Sequence, residues 1–88
     1  MNNSSYAIAV FSVRTSTLQF NSVLVKNGVK SLIIETPKAV SASCGICVRF
    51  DISSIKRAKD LLEHSAINNF VRFYVVENIW GSSRIRVV

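Results

Sequence analysis

Apolar and polar positions alternate along this chain in four strand-like runs separated by two helical stripes. Tyr6 to Val13 (YAIAVFSV) is rich in β-branched and aromatic residues, as a strand requires. Thr15, Ser16 and Thr17 follow, residue types that cap a helix by accepting backbone N–H bonds. From Leu18 the apolar residues Phe20, Val23, Leu24 and Val25 fall mostly on one helical side. Lys26-Asn27-Gly28 then supplies a basic last turn and a glycine stop, which predicts a helix ending near Asn27. Val29 to Thr36 (VKSLIIET) reads as a second strand closed by Pro37, which cannot donate to a ladder and biases Thr36 away from helix.

A loop is expected from Pro37 to Ser43, and Gly45 to Phe50 (GICVRF) reads as a third strand. Asp51 or Ser53 is placed to cap a helix in which Ile52, Ile55, Ala58, Leu61 and Leu62 recur at helical spacing, opposite Lys56, Arg57, Lys59, Asp60 and Glu63. Phe70 to Val76 (FVRFYVV) is the fourth strand. The order βαββαβ, with right-handed crossovers, predicts an α+β, ferredoxin-like sandwich: a four-stranded antiparallel sheet with two helices on one face. Residues 1–78 then make one domain. Residues 79–88, with Trp80, a Gly81-Ser82-Ser83 break and an alternating RIRVV end, form a tail that adds an edge strand, covers the sheet or packs on a second subunit.

Composition narrows the function classes. Eighty-eight residues make one small core and exclude a two-domain enzyme with a large enclosed active site. No apolar run approaches the ~20 residues of a membrane span, and the N-terminus lacks the basic start of a secretory signal. The cytoplasm is therefore the expected location and no membrane partner is expected. Two cysteines three positions apart are too few to staple a secreted mini-domain and fit free thiols in a reducing compartment. The net charge of +6 favours anionic or acidic partners, but Lys and Arg are scattered from Arg14 to Arg86, which weakens a nucleic-acid reading.

The predicted topology also says where chemistry can sit. The loop between the second and third strands lies at the end of the sheet where the first helix begins, so residues 36–45 should sit beside Arg14 to Thr17. Cys44 is then held near a helix N-terminus, whose partial positive charge favours a thiolate, with Arg14 and Lys38 as electrostatic support. Ser43 and Gly45 shape the turn, and Gly45 lets backbone N–H groups approach a sulfur anion closely. Cys47 belongs to the third strand. Three extended steps separate it from Cys44 by roughly 10 Å, beyond the ~7 Å reach of a disulfide, which argues against a thioredoxin-like redox pair.

The stretch Thr36-Pro37-Lys38-Ala39-Val40-Ser41-Ala42-Ser43-Cys44-Gly45-Ile46, followed by Arg49-Phe50, resembles the threonine-proline-basic, serine-rich, cysteine-glycine core of the Se/S carrier-like family. The resemblance runs, more loosely, from about Tyr6 to Tyr74. It implies a carrier that holds sulfur or selenium as a persulfide or selenosulfide on one cysteine, here Cys44. It also implies a protein donor of the cysteine-desulfurase kind and a protein acceptor, with no cofactor. The family's proline falls on Pro37 and its basic neighbour on Lys38. Cys47 departs from the small apolar residue usual in the family.

Other readings are weighed on the same residues. Cys44 can be read as a buried small hydrophobe, though its neighbours Ser43 and Gly45 speak for a loop. A zinc site wants four ligands, and the two cysteines and His64 do not supply them in one chain. His64 is more simply a helix C-terminal residue suited to the dipole there. An RNA-recognition module shares the topology but stacks bases on third-strand aromatics, where this chain has Ile46 and Val48, with Phe50 only at the end. The alternative to a carrier is a non-catalytic interaction module binding a protein partner or anionic ligand. On the open sheet face, Arg49, Arg72, Tyr74 and Trp80 are residue types that line a homodimer interface.

Overall fold

The computed structural model describes residues 4–40, 44–79 and 81–88. In chain order the elements are β1 (Ser4–Phe11), α1 (Arg14–Lys26), β2 (Ser31–Glu35), β3 (Ile46–Phe50), α2 (Ile55–Ser65), β4 (Phe70–Ile79) and β5 (Ser82–Val87), with a 3₁₀ turn over Ile52–Ser54 leading into α2. The strands form one sheet in the order β2-β3-β1-β4-β5, and every neighbouring pair is antiparallel.

The sheet therefore has five strands where the sequence predicts four. The extra strand arises because β4 does not stop at Val76 but continues through the polar Glu77 and Asn78 to Ile79. Only residues 80 and 81 separate Ile79 from its partner Ser82, and Gly81 has φ of +84°, a left-handed conformation that glycine adopts without steric cost. Glu77 and Asn78 pair with Arg84 and Ser83, and the Ser83 hydroxyl donates to Asn78 Oδ1 at 2.7 Å. Polar residues continue the strand here because their partners across the ladder are polar as well. Trp80, a candidate for an interface, lies outside the described residues.

β1 is central and its two faces are both buried, which accounts for its unbroken apolar run. Ala7, Ala9 and Phe11 face the helices, where they pack with Phe20 and Leu24 of α1, Ala58 of α2, Val48, Phe50 and Phe73. The rings of Phe11, Phe20, Phe70 and Phe73 form a chain of edge-on and tilted contacts with centroids 4.8–6.3 Å apart. Ile8 and Val10 face the other way, into a second cluster with Cys47, Val76 and Val40.

One expected helix cap shifts and the other holds, with a 3₁₀ turn set before the helix. The N-cap position of α1 is Val13, which makes no side-chain cap, and Ser16 and Thr17 are buried on the helix's inner side instead of capping it. The 3₁₀ turn before α2 is capped as anticipated by Asp51, whose carboxylate accepts from the Ser53 N–H at 2.9 Å and from the Ser53 hydroxyl. Those two bonds hold the Asp51 carboxyl below its usual range.

Candidate functional site

Pairing of β1 with β3 ends at Val10 and Cys47, and pairing of β2 with β3 ends at Glu35 and Ile46. Beyond that point the chain turns. Thr36 N–H donates to the Gly45 carbonyl at 3.0 Å, and Val40 N–H to the Pro37 carbonyl at 2.9 Å. Gly45 has φ of +78°, and among the described residues no atom lies within 4 Å of where a Cβ would sit, so its requirement is conformational and not steric. The reversal at Gly45 leaves Cys44 as the residue leading into β3.

Cys44 is half-buried and its thiol faces three oxygens. Its Sγ lies 3.0 Å from the Phe11 carbonyl oxygen, 3.2 Å from the Ile46 carbonyl oxygen and 3.7 Å from the Thr17 hydroxyl. A carbonyl oxygen only accepts, so the first two contacts share the one S–H proton. The Thr17 contact can run in either direction. Thr17 is fully buried in the first turns of α1, and its own hydroxyl also reaches the Val13 carbonyl at 3.3 Å. Residues of the β2–β3 connection and the start of α1 do meet, as the topology predicts, and the meeting point is the sulfur of Cys44.

The other candidates are placed differently. Arg14 is the first residue of α1 and Lys38 lies in the turn after Pro37. Both are exposed, and among the described residues neither makes a hydrogen bond or ion pair with Cys44. Ser43 lies outside the described residues. Thr17 is the site residue that sequence reasoning passes over, having been read as a cap. A signal for it exists: with Phe20 and Leu24 it falls on the i, i+3, i+7 stripe that α1 buries, so it is a polar residue in an apolar line.

Cys47 is a different kind of thiol. It is fully buried in the far-side cluster, and burial pushes its pKa from 9.0 up to about 11, with the Thr36 side chain opposing the shift and Cys44 adding to it. The Thr36 hydroxyl oxygen is itself buried, and among the described residues it has no partner within strict hydrogen-bond geometry, so its pull on the Cys47 thiol is a weak one. Both cysteines are free.

On the outer face of α2, Asp60, Glu63 and His64 converge with ligand atoms within 4.8 Å of one another, all exposed. His64 Nδ1 is already engaged by the Asp60 carbonyl oxygen at 2.8 Å, and this bond raises the ring's pKa. His64 contacts Asp60 on α2, and among the described residues the site holds no Cys/His pair. On the open sheet face, the Arg49 guanidinium sits 4.1 Å from the centroid of the Tyr6 ring. No helix of the structure is long and apolar enough to cross a membrane.

Fold and site together define a small α+β protein that presents one half-buried cysteine where the ends of β1 and β3 meet the opening of α1, and seals its second cysteine in a core. The chain belongs to the family described as Putative Se/S carrier protein-like, whose family model matches residues 6–70. That span contains β1 from Tyr6 onward, α1, β2, β3 and α2, together with both cysteines. No curated protein and no solved structure gives a significant match.

Proposed function

We propose that this protein carries a sulfur or selenium atom on Cys44, accepting it from a donor protein of the cysteine-desulfurase kind and passing it to an acceptor protein. It acts as a carrier more than as a turnover enzyme. Support comes from family membership and from one contrast in the structure: Cys44 is partly open to solvent at a chain reversal, whereas Cys47 is enclosed and held protonated. In loading, Cys44 loses its proton to solvent and its thiolate attacks the outer sulfur of the donor persulfide. A bond from Cys44 Sγ to that sulfur forms, the donor's S–S bond breaks, and the donor leaves as a thiolate with the electron pair. No external oxidant or reductant is needed. Delivery is the same exchange in reverse, with the acceptor thiolate as attacker.

We read the first four strands and two helices as a ferredoxin-like core, supported by the spatial order β2-β3-β1-β4, with residues 79–88 as an edge extension. Arg14 and Lys38 are assigned to guide an anionic donor or cargo towards the turn, Gly45 and Ser43 to shape it, and the reducing cytoplasm is the compartment in which two unpaired thiols persist. The test is intact-mass measurement after incubation with a cysteine desulfurase and cysteine. The wild-type protein and Cys47→Ala gain about 32 Da, one sulfur atom, and Cys44→Ser gains nothing. An unmodified wild-type protein refutes the carrier reading and leaves the interaction module.

A further inference from the structure

Deprotonation changes which neighbours suit the Cys44 sulfur. As a thiol it has a proton to offer, and the Phe11 and Ile46 carbonyl oxygens at 3.0 and 3.2 Å receive it. Once that proton leaves, both contacts set a negative sulfur against the negative ends of two carbonyl dipoles. Among the described partners, the Thr17 hydroxyl at 3.7 Å is then the group that can donate. Turning it costs little, because the Val13 carbonyl that it now reaches also accepts from the Thr17 backbone N–H at 3.3 Å and stays satisfied. Full burial of Thr17 keeps water from competing for the hydroxyl.

We propose that Thr17 is the positioning residue for the ionised sulfur: its hydroxyl turns from the Val13 carbonyl oxygen to donate to the Cys44 thiolate, holding the charged sulfur in place against the repulsion of the Phe11 and Ile46 carbonyl oxygens. This rests on the carrier reading of Cys44, and it extends that reading by assigning the group that meets the charge. Thr17 touches neither donor nor acceptor. It acts through the cysteine.

The experiment compares Thr17→Val, Thr17→Ala and Thr17→Ser with the wild-type protein, all in the Cys47→Ala background, by the rate of iodoacetamide alkylation at pH 7 and by loading from glutathione persulfide. A hydrogen bond to a charged group, set against the nucleophilicity it takes from the sulfur, gives an expected loss of about three- to tenfold in alkylation rate for Val and Ala. Loading falls in parallel, and Ser stays near the wild-type rate. Rates for Val and Ala equal to or above wild type, or a Ser variant as slow as Val, overturn the assignment. The two readings fail separately: a wild-type protein that alkylates in this pattern but takes no sulfur defeats the carrier and leaves Thr17 in place.

Discussion

The thiol of Cys44 and the backbone carbonyl of Phe11 lie 3.0 Å apart, joining the residue that leads into β3 to the last residue of β1 across 33 positions of sequence. Phe11 is also a fully buried ring in the core beneath α1. The candidate sulfur is thus fastened to the backbone of a residue whose side chain anchors the main core, and its position inherits the rigidity of the central strand.

That anchoring predicts how the core responds to truncation. Phe20 is fully buried, with its ring 5.4 Å from that of Phe11 and 6.3 Å from that of Phe73. Phe20→Ala is expected to cost about 3–5 kcal/mol, a large share of the stability of so small a domain. Urea unfolding followed by far-UV circular dichroism measures it, and a loss below about 1 kcal/mol contradicts the packing described.

The turn before β3 is sensitive to backbone conformation and insensitive to volume. A methyl group at Gly45 meets nothing within 4 Å, yet φ is +78°. Gly45→Ala should therefore destabilise by about 1–2 kcal/mol through the left-handed conformation alone. Gly45→Asn should cost less, since asparagine tolerates that region. Equal losses for the two variants would point to a clash that the structure does not contain.

Cys47 makes the alkaline limb of the stability profile. Its folded-state pKa is raised to about 11 from 9.0, so between those values the unfolded chain has given up a proton that the native protein keeps. The unfolded state then binds fewer protons, and stability falls as pH rises. The contribution is intact below pH 9 and declines towards pH 11. Denaturant midpoints at pH 8, 9, 10 and 11 should show a steeper fall for the wild-type protein than for Cys47→Ala. In the folded protein at pH 7.5, iodoacetamide should label Cys44 and spare Cys47 until denaturant is added.

Much of this fold is legible because packing and periodicity agree. α2 shows its inner stripe in Ile55, Ala58, Leu61 and Leu62, and all of them pack towards the helix-side core. β1 declares itself by an apolar run that only a strand buried on both faces needs. Its end is displaced from Val13 to Phe11 because the register shifts at Val10 and Phe11, and Ser12 instead donates its N–H to the Asn69 carbonyl. β5 is hard to read for two reasons. Its two-residue connection lacks the Asn-Gly or Asp-Gly signature of a tight hairpin, and the polar end of β4 looks like the start of a loop until its cross-strand partners are known.

The site is legible to a similar depth. Its sulfur and its glycine stand out as residue types, and topology alone brings the turn to the opening of α1. Which atoms surround that sulfur depends on where the ladders stop, and that lies beyond any local pattern. Arg14 and Lys38 attract attention by charge, whereas Thr17 is neutral and shows itself only as a polar break in the apolar stripe of α1.

The β2–β3 connection grips the sheet from two sides. Val40 is pressed into the cluster with Ile8, Val10 and Cys47 on the face without helices, while Cys44, four residues later, reaches the α1 side. The two described residues on either side of positions 41–43 are therefore held on opposite faces of the sheet. Because Val40 is only four residues from Cys44, a partner that pulls the sulfur far from the Phe11 carbonyl also strains a valine held in oil-like surroundings, which couples access at one face to packing at the other.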